Sequence, residues 1–407
     1  MAPKRRGAYS CKIKARGSSV VVSKSSFCNY DKKMRSLINN RLAVVASLSL
    51  LCSGAAEDFR AAWIPSSYDC TTSEQLCDQM VALQEVGINR VYLDVWNQGK
   101  VYFASPTMEA AGLNSSVGDD RLRWASECDS FQGDVVAWFE YGLIAAYGSI
   151  NNAFAEYAED QGWILGQEGA GFVWLDVNSG ALDFLAGIMA DVVKGYEGAV
   201  KGVQLDDHFG QPSSLVTSSR QTTETMTAAA EKLSGIVRAA GNGFLSKSGN
   251  GKGKGKGNGA GAGMLLSLSP ATLSTALNTY CVDWKAWAVD EAPPLFDEVV
   301  PQIYRSEYAQ FAAELQNTLD TLYGSGGGDD LPPTAAECTL AVGLRLDGSG
   351  DATPWADLEE MLDLSANTTT PFETAGLSPS IWYSRGILET YHDELTAYFS
   401  AASRSLP

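Results

Sequence analysis

The sequence predicts an α/β chain folded as a (β/α)8 TIM barrel, and three observations carry that prediction. Eight short apolar, β-branched runs recur along the 407 residues. Helical periods separate most of them. No Gly-rich phosphate loop follows the first run, which sets the doubly wound open sheet aside. In order, the runs are 60–66 (RAAWIPS), 89–96 (NRVYLDVW), 132–141 (QGDVVAWFEY), 199–207 (AVKGVQLDD), 264–270 (MLLSLSP), 298–304 (EVVPQIY), 339–346 (TLAVGLRL) and 378–385 (SPSIWYSR). Helical patterns occupy 73–86, 181–195, 219–240, 306–323 and 354–364, with a last helix over 386–400. A ninth run, 173–177 (VWLDV), has no place in an eightfold alternation and is assigned to a long connection after the third strand. Residues 57–400 are thus read as a single barrel domain. The stretch 246–263 (SKSGNGKGKGKGNGAGAG) is too Gly-rich to pack a core and reads as a flexible insertion. It falls between a helix and the next strand, hence at the face of the barrel opposite the one where active sites form.

The formal charge of −18 averages two unlike segments. Residues 1–56 carry 11 Lys/Arg and one acid, Asp31, a net of +10, while residues 57–407 carry 19 basic and 47 acidic residues, a net of −28. So acidic a body repels phosphate backbones and excludes a nucleic-acid binder. A hydrophobic content of 45% with 10 Trp and 16 Tyr excludes a disordered chain.

The basic segment reads as a targeting leader. The apolar run 42–51 (LAVVASLSLL) follows Arg35 and Arg41 and precedes the small residues Ser53, Gly54, Ala55 and Ala56, the layout of a secretory signal cleaved near Ala55 or Ala56. Translation from Met34 leaves an ordinary signal peptide; translation from Met1 leaves a bipartite leader that leads to a plastid or thylakoid lumen. No stretch reaches the roughly 18 apolar residues of a membrane span. Beyond the leader lie Cys70, Cys77, Cys128, Cys281 and Cys338, without the paired knuckles of a zinc site. In an oxidising compartment one or two disulfides can form among them, Cys70–Cys77 closing the shortest loop. Asn114-Ser-Ser and Asn367-Thr-Thr are glycosylation sequons in such a compartment.

The chemistry-bearing residues emerge from strand alternation. Side chains two apart share a face, and in a barrel one face meets the helices while the other points inward. In 202–208, Val203 and Leu205 alternate with Gln204, Asp206 and His208; in 91–97, Val91, Leu93 and Val95 alternate with Tyr92, Asp94 and Trp96. Trp138 shares a face with Glu140, Gln302 with Tyr304, and Ser267 with Ser269. Barrel interiors are usually filled with Val, Ile and Leu, so acids, amides and aromatics repeated at the C-terminal ends of several strands point to an active site. Asp207 alternates away from Asp206 and is read as a second acid or as a cap. Trp63 and Trp138 are also readable as core, and Asp94 as a buried acid paired with Arg345. Paired carboxylates supply acid and base or nucleophile for glycosidic cleavage, and aromatic faces stack on sugar rings. With His208 and His392 the only histidines and no G-x-S-x-G elbow, a Ser–His–acid triad has little support.

The strings Phe139-Glu140-Tyr141-Gly142 and Val203-Gln204-Leu205-Asp206-Asp207-His208-Phe209-Gly210 resemble the glycosyl-hydrolase-like 10 proteins. So do, in order, Ala62-Trp63, Val95-Trp96-Asn97 with Gly99, Val173-Trp174-Leu175-Asp176, Ser267-Leu268-Ser269-Pro270, Asp283-Trp284 with Trp287, and Pro301-Gln302-Ile303-Tyr304-Arg305. The resemblance spans roughly 59–385 and implies a barrel and glycoside hydrolysis. The segment 202–208 also looks like a diverged chitinase strand-four signature, with His208 where that signature carries its catalytic Glu; the departure speaks against a substrate-assisted, chitinase-type mechanism.

These readings converge on a glycoside hydrolase acting on a polysaccharide or oligosaccharide. Asp206 is the expected nucleophile or base, and Asp207 or Glu140 the acid. Trp63, Asp94, Trp96, Asn97, Tyr141, His208, Ser269, Gln302, Tyr304, Arg305 and Trp382 are the expected substrate-binding set. No cofactor and no resident metal are expected. The other readings are a non-catalytic glycan-binding barrel and a metal-dependent hydrolase or deacetylase using Asp206, Asp207, His208 and Glu140. The negative field favours neutral or cationic glycans over sulfated or uronic ones.

Overall fold

The computed structural model describes residues 59–405 apart from 67–69, 114–118, 170, 217–221, 246–263, 292, 325–337, 349 and 372–375. The leader, the Asn114 sequon and the Gly/Lys-rich insertion lie outside the described residues. The chain divides after Glu57, and Asp58–Pro407 is one compact unit.

Eight parallel strands close a barrel: β1 (Ala61–Ile64), β2 (Arg90–Asp94), β3 (Asp134–Phe139), β4 (Gly202–Asp206), β5 (Leu265–Ser269), β6 (Glu298–Val299), β7 (Thr339–Arg345) and β8 (Ser378–Trp382). Each pairs with its sequence neighbours, and β8 closes on β1 through Ala61↔Ser380 and Ala62↔Ile381. All eight predicted runs are barrel strands. The shortest, β6, is cut by Pro301, which has no amide to donate. Gln302 still bridges both neighbours, through Ala271 and Gly343, so the sixth strand keeps its direction up to the mouth.

Helices fill most of the crossovers. Helix Ser73–Val86 starts on Thr72, whose side chain accepts from the Gln75 amide at 3.2 Å, and buries Leu76, Met80, Leu83 and Val86 along one stripe. Helices Ala181–Gly195 and Thr223–Leu245 pack against each other. After β5 the sequence reading names no helix, but the chain forms Leu273–Tyr280 and then a wide turn over Ala286–Asp290. Eight residues are too few for a clear apolar period. The ninth run is a strand outside the barrel: Phe172–Leu175 is the centre of an antiparallel sheet with Ile144–Tyr147 and Ile164–Gln167, all within the long connection after β3. Cys77 is bonded to Cys128 rather than to Cys70, linking helix Ser73–Val86 to the segment before β3.

Alternation sorts the barrel side chains as expected. Ala62, Ile64, Val91, Leu93, Ala137, Phe139, Val203, Leu205, Leu266, Leu268, Val342 and Leu344 join the large core that includes the helices. Ala61, Trp63, Tyr92, Val136, Trp138, Val300 and Ala341 form a second, smaller core with Phe59.

A chain of buried polar groups accompanies this inner core. Arg90 pairs with Glu298 at 2.5 Å and with Asp134 at 3.0 Å. Tyr92 and Ser267 donate to Glu298 at 3.0 and 2.8 Å. Gln204 donates to Ser267 at 2.9 Å and accepts from the Trp63 indole at 2.9 Å. Arg90 also lies 3.8 Å above the Phe59 ring. These groups run upward from the N-terminal ends of β2 and β6, and their polarity is tolerable because partners replace the water they lose.

Candidate active site

Past the Trp63–Gln204 level the barrel interior becomes acidic. β2 ends at Asp94, and the chain then turns into a hairpin, Trp96–Asn97 paired with Lys100–Val101. The Asp94 carboxylate accepts from the backbone amides of Ser66 at 3.0 Å and Trp96 at 3.1 Å. Asn97 donates to Asp94 at 3.2 Å and to Glu140, the first residue after β3, at 2.6 Å. Asn97 thus bridges the Asp94 and Glu140 carboxyl groups.

Asp206, the last residue of β4, is 6% exposed. The Gln302 amide donates to it and is held from below by the Ser269 carbonyl at 3.0 Å and hydroxyl at 3.3 Å. Asp207 and His208 occupy the turn that follows β4. The imidazole Nδ1 lies 3.0 Å from the Glu140 carbonyl, 3.2 Å from Asp207 and 3.9 Å from Asp206. The His208 ring stacks on Tyr141 at 5.4 Å with 2° between planes. This approach of two loops depends on Gly142. Its φ is +39°, and a Cβ there would lie 2.8 Å from the His208 carbonyl. The Leu143 amide donates to that same carbonyl at 3.0 Å.

Crowding of acids sets the protonation states. Burial lifts the Glu140 carboxyl well above its ordinary range, and Asp94 and then Asp206 add like charge that lifts it further. Burial likewise raises Asp94. Asp206 is pushed up to about 7, by burial first and by Asp207 second. Burial works against a charge on His208, but Asp207, Asp206 and the Glu140 carbonyl together outweigh it and raise the ring to about 9. At neutral pH, therefore, His208 is an imidazolium between the two aspartates, Asp206 is poised to gain or lose a proton, and the Glu140 carboxyl is biased toward its protonated form. Tyr304, facing Asp206 and Asp207, stays a neutral phenol because burial and those charges raise it well above its usual value.

Most of the expected residues meet at this mouth: Asp94, Asn97, Glu140, Tyr141, Asp206, Asp207, His208, Gln302 and Tyr304. Trp382 joins them, its half-buried ring 6.4 Å from Tyr304 and 5.7 Å from Trp138. Four residues are placed elsewhere. Trp96 is fully buried outside the barrel, its indole donating to the Gly142 carbonyl at 3.1 Å and its ring against Phe154, because the hairpin breaks strand alternation after Asp94. Trp63 fills the interior below the mouth. Ser269 is wholly buried and holds Gln302. Arg305 turns away to pair with Glu314 on helix Tyr308–Tyr323 at 3.2 Å. The guanidinium beside Asp94 is that of Arg121, which donates to the Asp94 carbonyl at 2.9 Å, while Arg345 donates to the Asp351 carbonyl at 2.8 Å. Arg121 carried no signal in the sequence, since its helix Arg121–Ser126 belongs to no barrel repeat. Asp206, Asp207 and His208 each bring a donor atom within 4.8 Å of the others, so they can hold a cation once Nδ1 gives up the Glu140 carbonyl.

A closed eight-stranded parallel barrel with a cluster of acids at the C-terminal ends of its strands defines the class: a TIM-barrel protein whose acidic cluster lies at the end where active sites of this fold form. Residues 58–236 match the profile of the glycosyl hydrolase-like 10 family, the family whose motifs this sequence resembles. Solved structures similar to the chain include α-L-fucosidase isoenzyme 2 from Paenibacillus thiaminolyticus, at 14% identity and TM-score 0.43 over 85% of this chain and 49% of that one. Others are an exo-β-1,4-mannosidase from an Opitutaceae bacterium (11%, TM-score 0.47, 87% and 60%) and the α-galactosidase AgaB of Geobacillus stearothermophilus (12%, TM-score 0.46, 86% and 42%). The chain spans about half the length of the Paenibacillus enzyme. No curated protein sequence matches it. Among the described residues, no helix is long and apolar enough to cross a membrane.

Proposed function

We propose that the protein hydrolyses glycosidic bonds, with Glu140 as general acid and Asp206 as nucleophile or base. One observation carries this reading: Asn97 bridges Glu140 and a second carboxyl, Asp94, at 2.6 and 3.2 Å, and the His208 imidazole ties the Glu140 backbone to a third, Asp206, at the barrel mouth. A carboxyl biased toward its protonated form beside one that ionises near neutrality is what glycosidic cleavage needs. Asp207 is less suited to the acid role because His208 already engages it. Gln302, Asn97, Tyr304 and Trp382 offer amide, phenol and ring contacts for a sugar. The family match supports the same reaction class.

The test is digestion of a glycan panel with product mass analysis, comparing the wild type with Asp206→Asn. Cleavage lost by about 10²–10⁴-fold is the expected result. Undiminished cleavage by the variant removes Asp206 from the chemistry. Glycan affinity without turnover in the wild type would favour a non-catalytic binding barrel. Activity should rise as pH passes through about 7, where Asp206 ionises, and fall at higher pH as Glu140 loses its proton.

A second reading, metal-dependent hydrolysis, draws on the Asp206–Asp207–His208 donor set. Activity that survives a chelator removes it; activity lost to chelator and restored by zinc replaces the first reading. We further propose that the leader routes the chain to secretion or to an organellar lumen. The Cys77–Cys128 disulfide supports an oxidising compartment.

A further inference from the structure

The antiparallel sheet in the connection after β3 adjoins the mouth. On its central strand Phe172 and Trp174 are two residues apart and project from one face. Both rings lie beside His208, at 5.2 and 6.1 Å. Phe172 also meets Tyr141 at 6.1 Å. Across the ladder, Tyr147 stands opposite Phe172, with ring centroids 5.1 Å apart. The rings thus form an unbroken series from the acid cluster outward, through Tyr141 and Phe172 to Tyr147.

The outer end of that series is open to water. Tyr147 is 49% exposed, one of two exposed large hydrophobic residues among those described, and Phe172 is half-buried. The sheet edge beneath is firmly built. The Gly148 amide donates to the Gly171 carbonyl at 2.6 Å, and the Gln167 side chain donates to the Gly148 carbonyl at 2.9 Å. Gly171 has φ +104°, and a Cβ on it would meet the Gly148 nitrogen at 3.2 Å, so the close pairing of these strand ends depends on glycine. Tyr147 is therefore held at a fixed place relative to the mouth.

We propose that Phe172 and Tyr147 form an outer subsite for pyranose units of the glycan beyond the bond being cleaved, so that the protein acts on chains in preference to single terminal sugars. The proposal rests on the glycosidase reading and deepens it. Two adjacent rings are far short of the roughly 1,000 Å² a stable protein partner needs, yet each matches a ligand of ring size. A pyranose offers a C–H face that stacks on an aromatic ring without any charge. Continuity with Tyr141 and His208 directs that chain toward Glu140 and Asp206.

The experiment compares the full chain with Tyr147→Ala and Tyr147→Trp on manno-, cello- and chito-oligosaccharides of two to six units. KM and kcat are measured for each length, and direct binding of the hexamers by calorimetry. For the series the wild type cleaves, Tyr147→Ala should raise KM of the longest oligomers about three- to tenfold, the range of aromatic stacking, and leave the shortest cleaved oligomer unchanged. Tyr147→Trp should restore the long-chain KM. Equal effects at every length, or none, overturn the subsite while leaving the glycosidase reading intact. If the wild type cleaves no oligomer but its hexamer affinity falls in Tyr147→Ala, the subsite stands and the hydrolytic reading falls. If no hexamer binds, the subsite falls.

Discussion

Two polar clusters are buried in one barrel, and they follow opposite electrostatic rules. At the N-terminal end, Arg90 sits between Glu298 and Asp134, so opposite charges meet and neighbouring donors support them. At the C-terminal end, Asp94, Glu140, Asp206 and Asp207 crowd together, with His208 as the nearest cation to the last two. Burial is common to both. The lower cluster tolerates it through pairing, while in the upper one it pushes Asp94, Glu140 and Asp206 toward their protonated forms. A site whose acids are pushed toward their protonated forms is suited to proton transfer; a paired one is suited to holding the barrel together.

The sharpest break of this contrast is kinetic. Glu140→Gln should cost about 10²–10⁴-fold in activity on glycans with poor leaving groups and much less on activated aryl glycosides, since only the former need protonation. Similar losses on both would assign Glu140 a role other than acid. Next in size, Arg90→Met should cost about 3–5 kcal/mol in urea unfolding, because it strands Glu298 as a buried charge. Arg90→Met combined with Glu298→Leu should recover part of that loss, and no recovery would mean the pair's charge is not what matters. The smallest effect has the opposite sign. Asp206 has a raised pKa in the folded chain, so folding is weakened as pH climbs from its unfolded value near 4 through about 7. Asp206→Asn should therefore raise the melting temperature by a few degrees at pH 8, and the gain should shrink toward pH 4. A lower melting temperature at pH 8 would place Asp206 in the supporting cluster rather than the strained one.

Residue by residue, the sequence made the upper cluster far more legible than the lower. Asp94, Glu140 and Asp206 were readable because each interrupts an apolar strand at the inward parity, as Tyr92, Gln204 and Ser267 do in the lower cluster, whose charged pair was not. Arg90 and Glu298 hold the same parity but are the first residues of β2 and β6, where a charge looks like an ordinary strand boundary. Trp96 was misplaced because parity was carried past the end of β2 into a hairpin. Arg305 lies beyond the sixth strand, where helix Tyr308–Tyr323 offers it Glu314.

What the sequence by itself determined is the order of eight strands and the inward parity of their polar residues, because period-two alternation and helix periods are local properties of the chain. Which carboxyl is pushed furthest toward its protonated form was decided only by the tertiary structure. Glu140 is one acid among 48 acidic residues until the barrel closes. Closure brings the buried Asp94, from 46 positions earlier, and the buried Asp206, from 66 positions later, close to it. Like charges at close range in a desolvated space raise a pKa, and nothing in a linear sequence specifies that proximity.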